Sequence, residues 1–85
     1  MSDVLETIKG RQTLYGSFAE HSRIAQNIKR AMRDSPNWRT MPDHMKESLE
    51  MDATKTARIL NGDPSYADSW HDKGGYAKLV EDTLT

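Results

Sequence analysis

The fold is decided around the stretch Asn61-Gly62-Asp63-Pro64, which is the clearest boundary in the chain. Glycine suits the left-handed cap that ends many helices, aspartate caps the start of a following helix, and proline fits its first position. The pattern predicts that one helix ends near Leu60 and that another begins near Pro64. Because the connection is so short, we expect these two helices to pack antiparallel.

Helix-ending and helix-starting residues continue on the N-terminal side. Gly16 ends a first segment, and Ser17 with Glu20 has the spacing of a capping box, in which side chain and backbone satisfy each other at a helix start. Thr40 and Asp43 repeat that spacing. The helices predicted in this way span residues 3–15, 17–33, 40–60 and 64–82.

Apolar residues at helical spacing define the predicted core. In the three longer helices these are Phe18, His21, Ile24, Ala25, Ile28, Ala31, Met32, Met45, Leu49, Ala53, Thr56, Ala57, Leu60, Tyr66, Trp70, Ala77, Val80 and Leu84. The sequence therefore predicts an all-α fold, a small bundle of three long helices plus a short N-terminal helix, forming a single helical domain over residues 1–85.

Composition narrows the functional classes. The chain carries 12 basic and 13 acidic residues, so there is no strong nucleic-acid signal and no field that attracts it to an anionic membrane. It has no cysteine, which removes disulfide and thiolate chemistry, and it lacks the long apolar run of a membrane span. These features predict a cytoplasmic protein without membrane association.

Small size predicts self-association. A domain of 85 residues buries only about 60% of the surface that its unfolded chain exposes. The chain is 35% hydrophobic, has one Phe and has no disulfide to compensate. We therefore expect a homo-oligomer in which one face is buried against another copy.

Two consecutive glycines stand inside the last predicted helix. Gly74 and Gly75 each cost about 1 kcal/mol relative to alanine at such positions. Either a neighbouring helix or a ligand approaches the bare backbone there, or the helix is kinked.

Charged residues at helical spacing mark a candidate site on the last two helices. Glu47 with Glu50, and Asp68 with Asp72, lie on common faces, and four carboxylates around one pocket suit Mg²⁺. We expect Lys55 and Arg58 on these helices to pair either with a phosphate or with Asp68 and Asp72. The ordinary alternative is a solvated charged face. The predicted ligand-binding residues are Glu50, Lys55, Arg58, Asp68, Trp70, Asp72 and Tyr76, and the predicted metal ligands are Glu47, Glu50 and Asp72.

Several runs together resemble a family of short tailed-phage and prophage proteins of unassigned function. They are Leu14-Tyr15-Gly16-Ser17-Phe18-Ala19-Glu20-His21, Ser35-Pro36-Asn37-Trp38, Leu49-Glu50-Met51 with Lys55, Ala57-Arg58-Ile59-Leu60-Asn61-Gly62-Asp63, and Asp68-Ser69-Trp70-His71-Asp72 with Gly75-Tyr76 and Leu79. The pattern is also distantly similar to the phage nucleotide-modification-associated domain and to the MazG-like all-helical nucleoside triphosphate pyrophosphatases. That superfamily's magnesium site uses E-x-x-E and then E-x-x-D. Glu47 and Glu50 match the first pair, whereas Asp68 and Asp72 are four residues apart.

The resemblance implies a phage-encoded protein that acts in the cytoplasm of the host cell. Our leading hypothesis is a binder of a phosphate-bearing nucleotide, in nucleotide metabolism or in sequestering a defence signal. This hypothesis requires no cofactor, and the candidate metal ion is Mg²⁺. The alternative is an inhibitor or adaptor that binds a host protein through a helical face. The third hypothesis is a Mg²⁺-dependent pyrophosphohydrolase.

Overall fold

The computed structural model describes the backbone of residues 2–85 and the side chains of residues 4–10 and 14–85. Its helices are α1 (Ser2–Tyr15), α2 (Phe18–Arg33), α3 (Asp43–Asn61) and α4 (Ala67–Leu84), with a short 3-10 helix at Trp38–Thr40 between α2 and α3. The described part of the chain contains no strand, so the predicted all-α fold is confirmed. No helix in this part is both long and apolar enough to cross a bilayer.

α3 is the central helix, because α2 packs on one side of it and α4 on the other. The pairing of α3 with α4 is antiparallel, as expected. The Ser48 hydroxyl donates to the Tyr76 carbonyl oxygen at 2.9 Å, and the His44 ring lies 3.2 Å from the Thr83 hydroxyl. Contacts thus move toward the end of α4 as they move toward the start of α3.

The predicted cap of α2 is confirmed, whereas the predicted starts of α3 and α4 differ from the structure. Ser17 does cap α2, since its hydroxyl accepts from the Glu20 N–H at 3.2 Å. Thr40, however, lies in the 3-10 helix, and Pro42 precedes α3 without a side-chain cap. α4 begins at Ala67, because Asp63 uses its carboxylate to close a local turn with the Ser65 N–H at 2.9 Å.

The two turn glycines join α1 to the end of α3. Gly62 does not adopt the left-handed cap predicted for it (φ −117°), and its backbone instead lies against the Leu14 carbonyl, where a Cβ would clash. Gly16 has a φ of +78°, and a Cβ there would clash with Asn61. Asn61 donates to the carbonyl oxygens of Tyr15 at 2.8 Å and Ser17 at 3.0 Å. These bonds hold the α1–α2 turn against the C-terminus of α3.

The core is made of small residues. Among the side chains that the structure describes, those of Ala25, Ala53, Ala57 and Ser69 are buried. The prediction was right for these three alanines and wrong for seven other residues, which are exposed: Phe18, Ala31, Leu49, Leu60, Trp70, Ala77 and Leu84. In α4 the packed stripe is Ser69, Lys73, Tyr76 and Val80, so it is offset by one residue from Trp70 and Ala77. Small side chains let the helix backbones approach closely, which leaves the large apolar groups outside the contact.

The antiparallel α3–α4 pair has two faces, which two salt bridges distinguish. On one face Lys55 bridges to Asp72, and on the other Lys73 bridges to Asp52 and hydrogen-bonds to Thr56. A rotation of about 100° per residue then assigns the other side chains. We call the first the charged face; it carries Lys55, Arg58, Asp68 and Asp72. We call the second the apolar face; it carries Leu49, Leu60, Trp70, Ala77 and Leu84.

Candidate ligand-binding site

The centre of the charged face is the ion pair between Lys55 and Asp72. The Lys55 ammonium lies 2.7 Å from an Asp72 carboxylate oxygen, and the Lys55 side chain is only 12% exposed. Lys55 donates a hydrogen bond that lowers the pKa of Asp72, and the positive charges of Lys55, His71 and Arg58 lower it further, against a smaller opposing effect of burial. Asp72 therefore stays ionised and holds the ammonium in place.

Arg58 and two tyrosines extend the charged face toward the α1 side. The Arg58 guanidinium lies over the Tyr15 ring, 4.6 Å from its centroid. Tyr15 meets Tyr66 edge to face, with ring centroids 6.0 Å apart. Tyr15 and the nearby carboxylates of Asp68 and Asp72 raise the pKa of Tyr66. Two cations, two carboxylates and two phenol rings thus share one end of the bundle.

A shallow depression opens beside this ion pair. Its volume is about 340 Å³, and it is lined by His71, Asp72, Gly75, Tyr76 and Leu79. Residues 72, 75, 76 and 79 follow one stripe of α4, so a single helix supplies the floor. The absence of a side chain at Gly75 contributes to the hollow, because a Cβ there would meet nothing within 4 Å. The depression brings an apolar wall next to a partly exposed ammonium–carboxylate pair.

The structure brings together part of the predicted ligand-binding set. Lys55, Arg58, Asp68 and Asp72 share the charged face, and Tyr76 lines the depression. Trp70 does not join them, because two residues of helix turn it about 200° away from Asp68. Its ring is 55% exposed on the apolar face, and its indole N–H donates to the Pro64 carbonyl oxygen at 2.8 Å.

The predicted metal ligands are not gathered at one place. Glu50 faces α2, where it pairs with Arg33 at 3.6 Å, whereas Asp72 pairs with Lys55 on the α4 side of α3. Glu47 is exposed. Among the side chains described, no group of three or more His, Asp or Glu residues could hold a metal ion. Glu50 therefore belongs to the α2–α3 contact and not to the charged face.

His21 also lies at this end of the bundle. The sequence pattern predicted it as a core residue and gave it no functional role. Its ring stacks on Phe18, with centroids 6.1 Å apart, and its Nδ1 is buried without a hydrogen-bond partner in the described chain. Burial lowers the pKa of His21, and the positive charges of Arg58 and Lys29 lower it further. These surroundings therefore favour the neutral form of the ring.

Sequence reasoning also missed Tyr15 and Leu79 as site residues. The signal for Tyr15 was its position beside the turn at Gly16. This turn and the one after α3 reverse the chain direction, so the end of α1 lies next to the start of α4. The signal for Leu79 was its spacing from Asp72 and Gly75, which continues the same stripe of α4. Both depend on knowing which face of each helix packs.

No family model matches the sequence, and neither a curated protein nor a solved structure is significantly similar to it.

Proposed function

We propose that the charged face and its depression bind a small phosphate-bearing nucleotide. The observation that carries the proposal is the depression of about 340 Å³ next to the Lys55–Asp72 pair. This volume lies within the range of about 300–1,000 Å³ of small-molecule sites. The distant similarity of the sequence pattern to the phage nucleotide-modification-associated domain and to the MazG-like pyrophosphatases favours this ligand class.

The chemistry of the lining fits the two parts of such a ligand. Tyr76, Leu79 and the bare backbone of Gly75 offer a flat apolar wall to a base. His71 lines the polar end beside Asp72, and the Lys55 ammonium lies 2.7 Å from the Asp72 carboxylate. The imidazole N–H and this ammonium are the donors that we assign to a phosphate oxygen. Asp72 accepts from a sugar hydroxyl or a base amino group.

Charge balance limits how many phosphates the site holds. Lys55 and Arg58 are matched by Asp68 and Asp72, so the charged face has no surplus cation. A single phosphate can compete with Asp72 for the Lys55 ammonium, whereas a triphosphate brings charge that only an added cation would neutralise. We therefore propose a nucleoside monophosphate, or a ligand with one accessible phosphodiester, in preference to a free triphosphate.

Hydrolysis is not part of the proposal. Glu50 and Asp72 lie on different sides of α3, so they cannot hold one metal ion between them in this arrangement. Mg²⁺ enters only as a free ion that accompanies a more highly charged nucleotide.

Calorimetric titration tests the proposal. The wild-type chain is titrated with nucleoside mono-, di- and triphosphates and with a cyclic dinucleotide, each with and without Mg²⁺. We expect binding of the ligands with one charged phosphate group and at least a tenfold loss of affinity in Lys55→Met, since a charge-assisted bond is removed.

The chain offers a matched control in Lys73→Met. Lys73 also bridges α3 to α4 through an aspartate, at 2.9 Å from Asp52, but on the apolar face. We expect this variant to bind like the wild type. Absence of binding for every ligand, or equal losses in both lysine variants, contradicts the proposed site.

A further inference from the structure

The chain leaves more surface uncovered than a compact domain of its mass. Its accessible area is 6103 Å², whereas a compact monomer of 9.7 kDa exposes about 5,100 Å². The radius of gyration is 14.7 Å, compared with about 12 Å for 85 residues in a compact domain. The excess of about 1,000 Å² is close to the roughly 800 Å² that each partner buries in a standard interface.

The apolar face holds much of the large apolar surface that lacks a neighbour. Leu60 is 65% exposed and Leu84 66%, with Trp70 and Leu49 on the same side. The hydrogen bond between Lys73 and Thr56 supports this assignment. Around α3, Leu49 and Leu60 lie within about 40° of Thr56. Around α4, Ala77 lies within about 40° of Lys73. The four large side chains therefore line one surface of two antiparallel helices.

The charge of the apolar face is balanced within one chain. At its centre the Lys73 ammonium is already paired with Asp52 at 2.9 Å. The same surface on a second copy carries the same neutral pair, so two such surfaces meet without a net repulsion. A self-complementary, charge-neutral patch is what a twofold interface requires, because the same residues appear on both sides.

We propose that the apolar face is the interface of a homodimer, in which α3 and α4 of one copy pack against α3 and α4 of another. The four helices then form a second, larger core, with the Leu and Trp side chains that the chain's own small-residue core leaves outside. The charged face and its depression lie on the opposite side of the α3–α4 pair and remain open. The dimer is thus independent of the proposed nucleotide site.

Sedimentation velocity on the full chain across about 1–500 µM tests the dimer. We expect a species of about 19 kDa, twice the 9.7 kDa of the chain. Leu60→Glu should shift the dissociation constant upward by at least about 100-fold, because the interface would bury an unpaired carboxylate.

Leu79→Glu is the matched control. Leu79 is 67% exposed, almost the same as Leu60, but it lies in the depression on the charged face. We expect this variant to remain dimeric, with unchanged helix content by circular dichroism in both variants.

Three outcomes overturn the proposal. They are a monomer at every concentration, a dimer that Leu60→Glu leaves intact, and a dimer that both glutamates disrupt equally. If the wild type is monomeric and a different protein binds it only while Leu60 is intact, the apolar face belongs to that protein and not to a second copy.

Discussion

Replacing Gly74 or Gly75 by alanine should stabilise the protein. Both glycines are exposed inside α4, and an added Cβ at either position meets nothing within 4 Å. The expectation that a neighbouring helix lies against this bare backbone is therefore wrong for the described chain. With no contact to lose, the change reduces to helix propensity, which favours alanine by about 1 kcal/mol at each site.

The expected shift is large enough to measure. For a domain of 60–100 residues, 1 kcal/mol corresponds to about 4–8 °C in Tm. Each single variant should gain that amount, and the double variant about twice as much, because each position contributes its own helix-propensity term. Thermal and urea denaturation, followed by circular dichroism at one fixed protein concentration, give the two values.

Comparing Gly74→Ala with Gly75→Ala also separates an effect on stability from an effect on binding. Gly75 lines the depression and Gly74 does not, so the two variants share the stability gain but differ at the site. Gly75→Ala places a methyl group in the hollow and should weaken nucleotide binding, while Gly74→Ala should leave it unchanged. A lower Tm for Gly74→Ala would refute the reasoning, since it would mean that something covers this part of α4.

Further predictions concern the turn that joins α1 to α3 and the neutral histidine. Asn61→Ala removes two hydrogen bonds to backbone carbonyls and should lower the free energy of unfolding by about 2 kcal/mol. The control Asn37→Ala, which loses no side-chain cap bond, should change it by less than about 0.5 kcal/mol. Equal effects in urea unfolding would contradict the anchoring role of Asn61. Gly16→Ala should destabilise by about 2 kcal/mol or more, because alanine is strained at a φ of +78° and its Cβ meets Asn61; an unchanged Tm would argue against this turn geometry. Because the pKa of His21 is lowered in the folded chain, the unfolded chain binds a proton at a higher pH than the folded chain does. The free energy of unfolding should therefore fall as the pH drops below about 6.5. His21→Gln should flatten this pH dependence of Tm, and a His21 pKa above 6.5 by NMR would reverse the sign.

Local sequence signals predicted the helices well and their contacts less well. Ser17 capped α2 because its hydroxyl needs only the N–H three residues on. Gly62 was recognised as a boundary, but the reason for glycine is a contact with Leu14, far away in the chain, and local rules cannot supply that distance. The same limit explains Thr40, which entered a 3-10 turn instead of capping α3.

The predicted core and the predicted grouping of the site residues differ from the structure mainly in the rotation of the helices about their axes. Trp70 and Ala77 follow an apolar period, which usually marks the packed side, but Ser69 occupies that side and lets α4 approach α3 closely. An error of one residue turns a helix by about 100°, enough to move Trp70 out of the candidate site. Lys55 and Asp72 were placed correctly because antiparallel pairing of α3 and α4 was enough to bring them together, whereas Glu50 required knowledge of where α2 packs.

The small-residue core has a consequence for how this sequence can change over time. Ala25, Ala53, Ala57 and Ser69 act as spacers, so enlarging any one of them forces helices apart and should be selected against. The large apolar groups outside that core carry no such constraint from the chain's own packing. We therefore expect substitutions among these outer leucines and aromatics to change the contacts between molecules while leaving the bundle intact.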